Sequence, residues 1–399
     1  MITRHIEKIL TSDDYGRQMR FLAGPRQTGK TTITQKLVAK ELYFNWDIKA
    51  VKDHYRNDPY FFETNIYDTP GKPWVAHDEI HKMPKWKNIL KDYFDKFEGQ
   101  ARFIISGSAR LDLFRKSGDS LAGRYFLFKL YPLTLSEAVG TTPILPDASI
   151  NALDFIDKQF SRLTYHQDAL EQLLAFSGFP EPFLKANTRF YNRWSSALID
   201  RLIREDVRDL TRIIELQNIE TLAGLLPQRI GSPFSLNSVR EEMSVSYNAV
   251  KNAVAAAELV YMIFMVPPYS KKISRTLKKE KKCYFFNWML AADEAARFEN
   301  YVAIELTSLT EFWNDSGTGT YRLFFIRTKD GKESDFLITQ NSNPWCLFEV
   351  KLKDGPIEKH HYKHAGHLGG IPIVVLCKEN KVLKKGDNNS FRVSASRFF

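Results

Sequence analysis

The spacing of apolar and polar positions changes character along the chain. Over the first ~140 residues, short apolar runs at 19–23, 43–46, 74–76, 103–105 and 125–130 alternate with stretches of helical spacing at 31–40 and 86–97. Strand-length runs interleaved with helices predict a parallel α/β sheet. From 152 to 226 the period is helical, broken once at Pro180 and Pro182 within 177–182. Two helical stretches, 235–243 and 247–259, are joined by the turn 244–246. Strand-like runs at 261–266 and 283–286 follow, with a polar, basic stretch between them. Helix–turn–helix followed by a hairpin predicts a winged helix. A helix over 293–312 then leads into strand-like runs at 321–326, 334–339, 345–352 and 371–377. The segment 141–147, with Pro143 and Pro146, reads as a linker. The expected division is 1–140 as an α/β domain, 141–212 as a helical linker or lid, 213–290 as the winged helix, and 291–399 as a second α/β domain. No internal repeat is visible.

The chain has 399 residues, of which 57 are Lys or Arg and 47 Asp or Glu, a net charge of +10. Such a balance favours an acidic partner: nucleic acid, nucleotide phosphates or an anionic surface. No apolar stretch approaches the ~18 residues of a membrane helix, and residues 1–10 lack a signal-peptide core. Cys283, Cys346 and Cys377 are scattered, so neither a disulfide framework nor a zinc knot is expected. The expected location is the cytoplasm, with no membrane partner.

Candidate chemistry begins at 24–32. Gly24-Pro25-Arg26-Gln27-Thr28-Gly29-Lys30-Thr31, followed by Thr32, matches the phosphate-binding loop pattern between a predicted strand and a predicted helix. Gly24 allows a sharp exit from the strand, and Gly29 lets the backbone approach an anion at the helix N-terminus. Lys30 is expected to reach the β and γ phosphates of ATP, and the Thr31 hydroxyl to ligate Mg²⁺. Asp78 and Glu79, at the end of an apolar run, fit a metal-side carboxylate and a general base for water. His77 interrupts that run, which implies an edge position or a contact near the γ-phosphate. Ser106, at another strand's carboxyl end, fits a γ-phosphate sensor, with Ser108 beside it. Arg110 or Arg124 fits an arginine finger, in cis or from a neighbouring subunit, which allows a homo-oligomer.

These strings resemble a family. Together with 24–32, Asp-Glu-Ile-His-Lys (78–82), Ser-Gly-Ser-Ala-Arg-Leu (106–111), Leu-Ala-Gly-Arg-Tyr (121–125), Phe-Pro-Glu-Pro (179–182) and Arg-Glu-Asp-Val-Arg-Asp-Leu (204–210) look like prokaryotic AAA+-type ATPases. Those carry a helical and winged-helix middle and a C-terminal nuclease-like domain. The resemblance runs essentially the full length, and it implies the roles given above for Lys30, Thr31, Asp78 and Glu79. It also implies an Asp after the wing, where this chain has Asn287.

The wing and the C-terminal region carry further candidates. Lys271, Lys272, Arg275, Lys278, Lys279, Lys281 and Lys282 face a single acid, Glu280. They fit contacts to a DNA backbone, with Lys251 on the preceding helix nearby. Asp335 followed fourteen residues later by Glu349-x-Lys351 is the PD-(D/E)XK pattern. Residues 349 and 351 share a strand face. Asp335, Glu349 and the upstream Glu299 are expected to share a second Mg²⁺, with Lys351 orienting water. The proline of that pattern is absent from Glu333-Ser334-Asp335. His360, His361, His364 and His367 read either as a metal site or, preferably, as a polar helix face near the nuclease-like site. The expected function is thus a Mg²⁺-dependent ATPase coupled to a DNA-binding winged helix and a nuclease-like, restriction-endonuclease-type tail. The alternatives are an ATP-gated DNA nuclease and a nucleotide-switched DNA-binding regulator with little turnover.

Overall fold

A computed structural model describes residues 2–107, 121–146, 151–207, 216–270 and 280–399. Ser108, Arg110, Lys271, Lys272, Arg275, Lys278 and Lys279 lie outside the described residues. The chain divides into two compact units, one of 3–131 with 259–261, the other of the remaining residues.

The first unit is built on a five-stranded sheet. Its strands are β1 (Met19–Ala23), β2 (Tyr43–Asn45), β3 (Trp74–Asp78), β4 (Arg102–Ser106) and β5 (Tyr125–Lys129), in the order β2-β3-β4-β1-β5. All four pairings are parallel. Parallel strands need crossovers, and the helices that supply them cover the sheet with their apolar sides. Phe21, Val75, Ile104 and Leu90 lie in one buried cluster with Trp46 and Tyr93. From β1 the chain runs to the β2 edge, returns through β3 and β4, and then passes β1 to place β5 on its other side. Open parallel sheets of this kind bind ligands at the carboxyl ends of their strands.

His77 corrects an expectation. β3 lies between β2 and β4, and His77 is fully buried rather than at an edge or a phosphate. Strand alternation turns it away from Asp78 into a ring cluster. Its centroid lies 5.2 Å from Tyr93 and 5.3 Å from Phe62. Its Nδ1 accepts from the Trp46 indole at 3.1 Å. Burial pushes its pKa down to about 3, so it is a neutral core residue.

The second unit holds the middle and C-terminal regions. Pro180 stands at the first turn of the helix Pro180–Lys185, where its missing N–H costs nothing. Gly178, just before it, has no room for a side chain: a Cβ would meet Leu133 O at 2.6 Å. The helices Leu236–Met243 and Tyr247–Leu259 lie in sequence between the first and second strands of a small antiparallel sheet, in which β6 (Pro233–Phe234) and β7 (Ile263–Val266) flank β8 (Lys281–Phe285). Asn287, beyond β8, is buried and donates to Tyr191 Oη at 3.1 Å.

A 22-residue helix, Glu294–Asp315, then leads into a six-stranded mixed sheet. Its strands are β9 (Tyr321–Arg327), β10 (Glu333–Gln340), β11 (Asn343–Lys351), β12 (Ile373–Cys377), β13 (Leu383–Gly386) and β14 (Ser390–Ser394), in the order β13-β14-β12-β11-β10-β9. β11, β12 and β14 run parallel at its centre, and all three cysteines of the chain are buried and unpaired. Among the described residues no helix is long and apolar enough to cross a membrane.

Candidate functional site

The loop 24–29 leaves the carboxyl end of β1 and ends at the helix Lys30–Leu37, whose N-cap is Gly29. Gly24 has φ 142°, and a Cβ there would lie 2.2 Å from Leu130 O, so only glycine fits. Gly29 has φ 100° and nothing within 4 Å of a would-be Cβ, which leaves its face open to an anion. Arg4 anchors the loop from beneath, donating to Thr28 O at 2.8 Å and to Tyr131 O at 2.7 Å. The Lys30 ammonium is folded over the loop, donating to Pro25 O at 2.6 Å and Gly24 O at 3.0 Å.

Asp78 stands across from the loop. Its Oδ2 accepts from Thr31 Oγ1 and from Tyr43 Oη, each at 2.8 Å, and its Oδ1 accepts from Ser106 Oγ at 2.6 Å. Register explains the meeting, since Ser106 pairs with Leu22 on one side and with Asp78 on the other. Burial next to Asp78 drives the Tyr43 phenol up, so it remains a donor. Thr31 and Asp78 fit the metal side of an ATP site: one hydroxyl and one carboxylate, held at the mouth of a phosphate cradle.

Glu79 takes the left-handed conformation, φ 60°, rare for a side chain of this size. Its N–H donates to Ser106 O at 2.8 Å, and its Oε2 lies 3.2 Å from Lys82 Nζ. Lys82 in turn bonds Asp47 at 2.6 Å. Burial raises the Glu79 pKa, Lys82 opposes the shift and Asp78 adds to it. A carboxylate made more basic next to a phosphate cradle can accept a proton from water.

Arg124 is placed elsewhere. β5 runs parallel to β1 with Tyr125 opposite Met19, so Arg124 lies at the amino edge of the sheet, the far edge from the loop. It grips Asp95 with two nitrogens, at 3.1 and 3.2 Å. An in-cis finger role at its own nucleotide is thereby corrected.

The C-terminal carboxylates form a second cluster, around a lysine. Lys282 is not on an exposed wing: its side chain is 1% exposed. Its Nζ lies 2.7 Å from Glu333, 3.0 Å from Glu299 and 3.5 Å from Asp335. Burial works against its charge, but Glu299, Asp335 and Glu333 outweigh it and raise the pKa. Burial and Asp335 push Glu299 up to about 7 and Glu349 up to about 8. Lys351 pairs with Glu349 at 3.0 Å, and its side chain is more than a third exposed.

On the helix Lys359–His367, His361 and His364 are buried with both Nδ1 atoms 2.8 Å from Ser334 Oγ. Among the described residues no group of three or more His, Cys, Asp or Glu side chains is placed to hold a metal ion. The Mg²⁺ expected at Glu299, Asp335 and Glu349 does not fit these residues while an ammonium sits between Glu299 and Asp335. Lys251 and Lys281 are exposed.

Arg4, Tyr43 and Tyr284 carry no signal in the sequence, and Lys82 and Glu333 stand inside quoted strings without a role of their own. Strand parity alone carried a signal for Lys282, because Lys282 and Tyr284 share one face of β8 and both meet Glu299.

Comparison with known proteins defines the class of the first unit. Residues 16–139 match the model of an AAA domain, and the five-stranded parallel sheet agrees with a P-loop fold. Residues 16–139 are therefore similar to AAA domains and are built on a P-loop-type sheet. Residues 167–296 and 295–396 match two domains of unknown function, DUF8612 and DUF4143. An uncharacterized protein of Mycobacterium tuberculosis is 22% identical over 351 residues, 84% of this chain and 70% of its own length. One of Methanocaldococcus jannaschii is 23% identical over 308 residues, 70% of this chain and 63% of its own length. A structure of the Aeropyrum pernix Orc1 protein in complex with DNA covers 77% of this chain and 94% of that one, at 12% identity and a TM-score of 0.29. At that score the sheet order and the AAA match, not this likeness, carry the fold.

Proposed function

We propose that the chain is a Mg²⁺-dependent ATPase of the AAA kind whose nucleotide state governs DNA binding by its middle region. The observation that carries the reading is Asp78, held by the hydroxyls of Thr31 and Ser106 at the mouth of a glycine loop. In this reading the backbone N–H groups of 25–29 and Lys30 bind the β and γ phosphates. Thr31 and Asp78 would hold the magnesium, which would supply positive charge against the phosphate oxygens. Glu79 orients water and accepts its proton, and Lys82 with Asp47 fixes the carboxylate until it does so. The middle region is read as a winged helix, with Lys251 and Lys281 on a DNA backbone beside the basic stretch 271–279. The last ~110 residues are read as a nuclease-like fold, and no cleavage step is derived for them.

The test is ATP binding and turnover by the full chain, with and without DNA, at low and high salt. Lys30→Ala should abolish nucleotide binding. Glu79→Gln should keep binding and lower kcat by about 10²-fold or more. Full turnover in Glu79→Gln removes that residue from its role. The second reading, a switched regulator, is favoured by the Glu79–Lys82 ion pair, which restrains the base. It requires that ATP change DNA affinity while turnover stays negligible, which fluorescence anisotropy reads directly.

A further inference from the structure

The C-terminal cluster has the residue types of a divalent-metal site, yet its centre is filled by a side chain from another sheet. Lys282 belongs to β8, where it is paired on both sides, with Pro233 of β6 and Val266 of β7. Its ammonium enters among Glu299 on the helix Glu294–Asp315 and Glu333 and Asp335 on β10.

Each carboxylate has a further donor. Glu299 Oε1 also accepts from Tyr284 Oη at 2.7 Å, Asp335 Oδ2 from Val350 N–H at 2.9 Å, and Glu333 Oε2 pairs with Arg327 at 2.9 Å. The backbone closes one side, because a Cβ on Gly231 would lie 2.8 Å from Glu299 Oε2. Magnesium requires oxygen ligands at about 2.0–2.1 Å in a near-octahedral shell. Such an ion between Glu299 and Asp335 would occupy the volume of the ammonium, and two cations repel at that separation.

We infer that Lys282 is a resident counter-cation of the C-terminal carboxylate cluster, taking the place of a divalent metal and tying the β6-β8-β7 sheet to the nuclease-like domain. As folded, the cluster binds no catalytic metal, and its acids serve as a latch for the hairpin strand β8. The inference stands on the geometry of the cluster and does not depend on the ATPase reading.

The experiment is Mn²⁺ binding to the nucleotide-free full chain, followed by electron paramagnetic resonance. The wild type should show no site that depends on Asp335. Lys282→Gln should gain one Mn²⁺ per chain, and Asp335→Asn in that background should remove it. A wild-type site lost in Asp335→Asn overturns the inference, as does a folded Lys282→Gln that gains nothing.

A second measurement uses the wild type alone, in case the variant does not fold. Lys282 should remain unlabelled by acetic anhydride whether or not Mn²⁺ is present, read by mass spectrometry of the peptide. Labelling that appears on adding Mn²⁺ would mean that the metal displaces the ammonium, and the inference fails.

Discussion

Asp78 and Asp335 are both strand carboxylates in clusters of polar groups, but their surroundings differ in kind. Asp78 accepts from three hydroxyls, those of Thr31, Tyr43 and Ser106. Asp335 shares a buried ammonium with Glu299 and Glu333. Hydroxyl donors are neutral and can rotate to accept instead, so they adapt to a dication that arrives with a nucleotide. A buried ammonium is a fixed charge whose removal strands the acids around it. The difference lies not in the number of acids but in the charge of the groups that donate to them: neutral hydroxyls around Asp78, an ammonium around Asp335.

The comparison breaks most sharply by amidating one carboxylate in each cluster. Asp78→Asn should cost ATP turnover about 10²-fold or more, since the site loses the carboxylate that accepts from Thr31. Asp335→Asn should cost stability instead, on the order of 1–3 kcal/mol, because the ammonium loses a charged partner. Steady-state hydrolysis and urea unfolding of both variants check the pair. A large loss of turnover with no loss of stability in Asp335→Asn would erase the distinction.

Much of the first cluster is legible in sequence because its parts are contiguous. Gly24 to Thr32 is one string, and Asp78-Glu79 another. Tyr43 is not legible, since its contact with Asp78 depends on β2 lying beside β3, which local pattern does not state. Arg124 misleads for a related reason: a residue just before a strand faces the loop only if that strand runs antiparallel to β1, and β5 runs parallel. The basic stretch hides Lys282 by composition. Seven cations against one acid between 271 and 282 read as one basic face, while strand alternation turns the last inward. His77 shows the same limit, a polar letter whose place in the core depends on the aromatic rings packed around it.

A smaller effect sharpens the contrast through pH. Glu349 carries a pKa raised from 4.5 to about 8, by burial first and Asp335 next, with Lys351 opposing. Between those values the folded chain holds a proton that the unfolded chain has lost. Stability therefore falls as pH rises across this window. Glu299, raised to about 7, acts in the same direction over the lower part of it. Glu349→Gln cannot ionise, so its unfolding free energy should decline less from roughly pH 5 to 8 than that of the wild type, by on the order of 1–2 kcal/mol. Parallel curves for the two proteins would show that Glu349 ionises as freely folded as unfolded.

The smallest expected effect concerns Tyr43, and it tests whether the neutral donors around Asp78 matter one by one. Tyr43→Phe keeps the ring beside β3 and removes only the hydroxyl that reaches Asp78 Oδ2 at 2.8 Å. A single neutral hydrogen bond is worth about 0.5–1.5 kcal/mol, so the change should be a few-fold rather than a loss. It should appear in the Mg²⁺ concentration that half-saturates ATP turnover, which rises, while affinity for ATP without metal stays as it was. That split distinguishes orientation of the metal-side carboxylate from a general loosening of the loop, which would weaken nucleotide binding with or without magnesium. If the Mg²⁺ dependence does not move, Thr31 and Ser106 alone orient Asp78, and the hydroxyl of Tyr43 is there only to satisfy a half-buried polar atom.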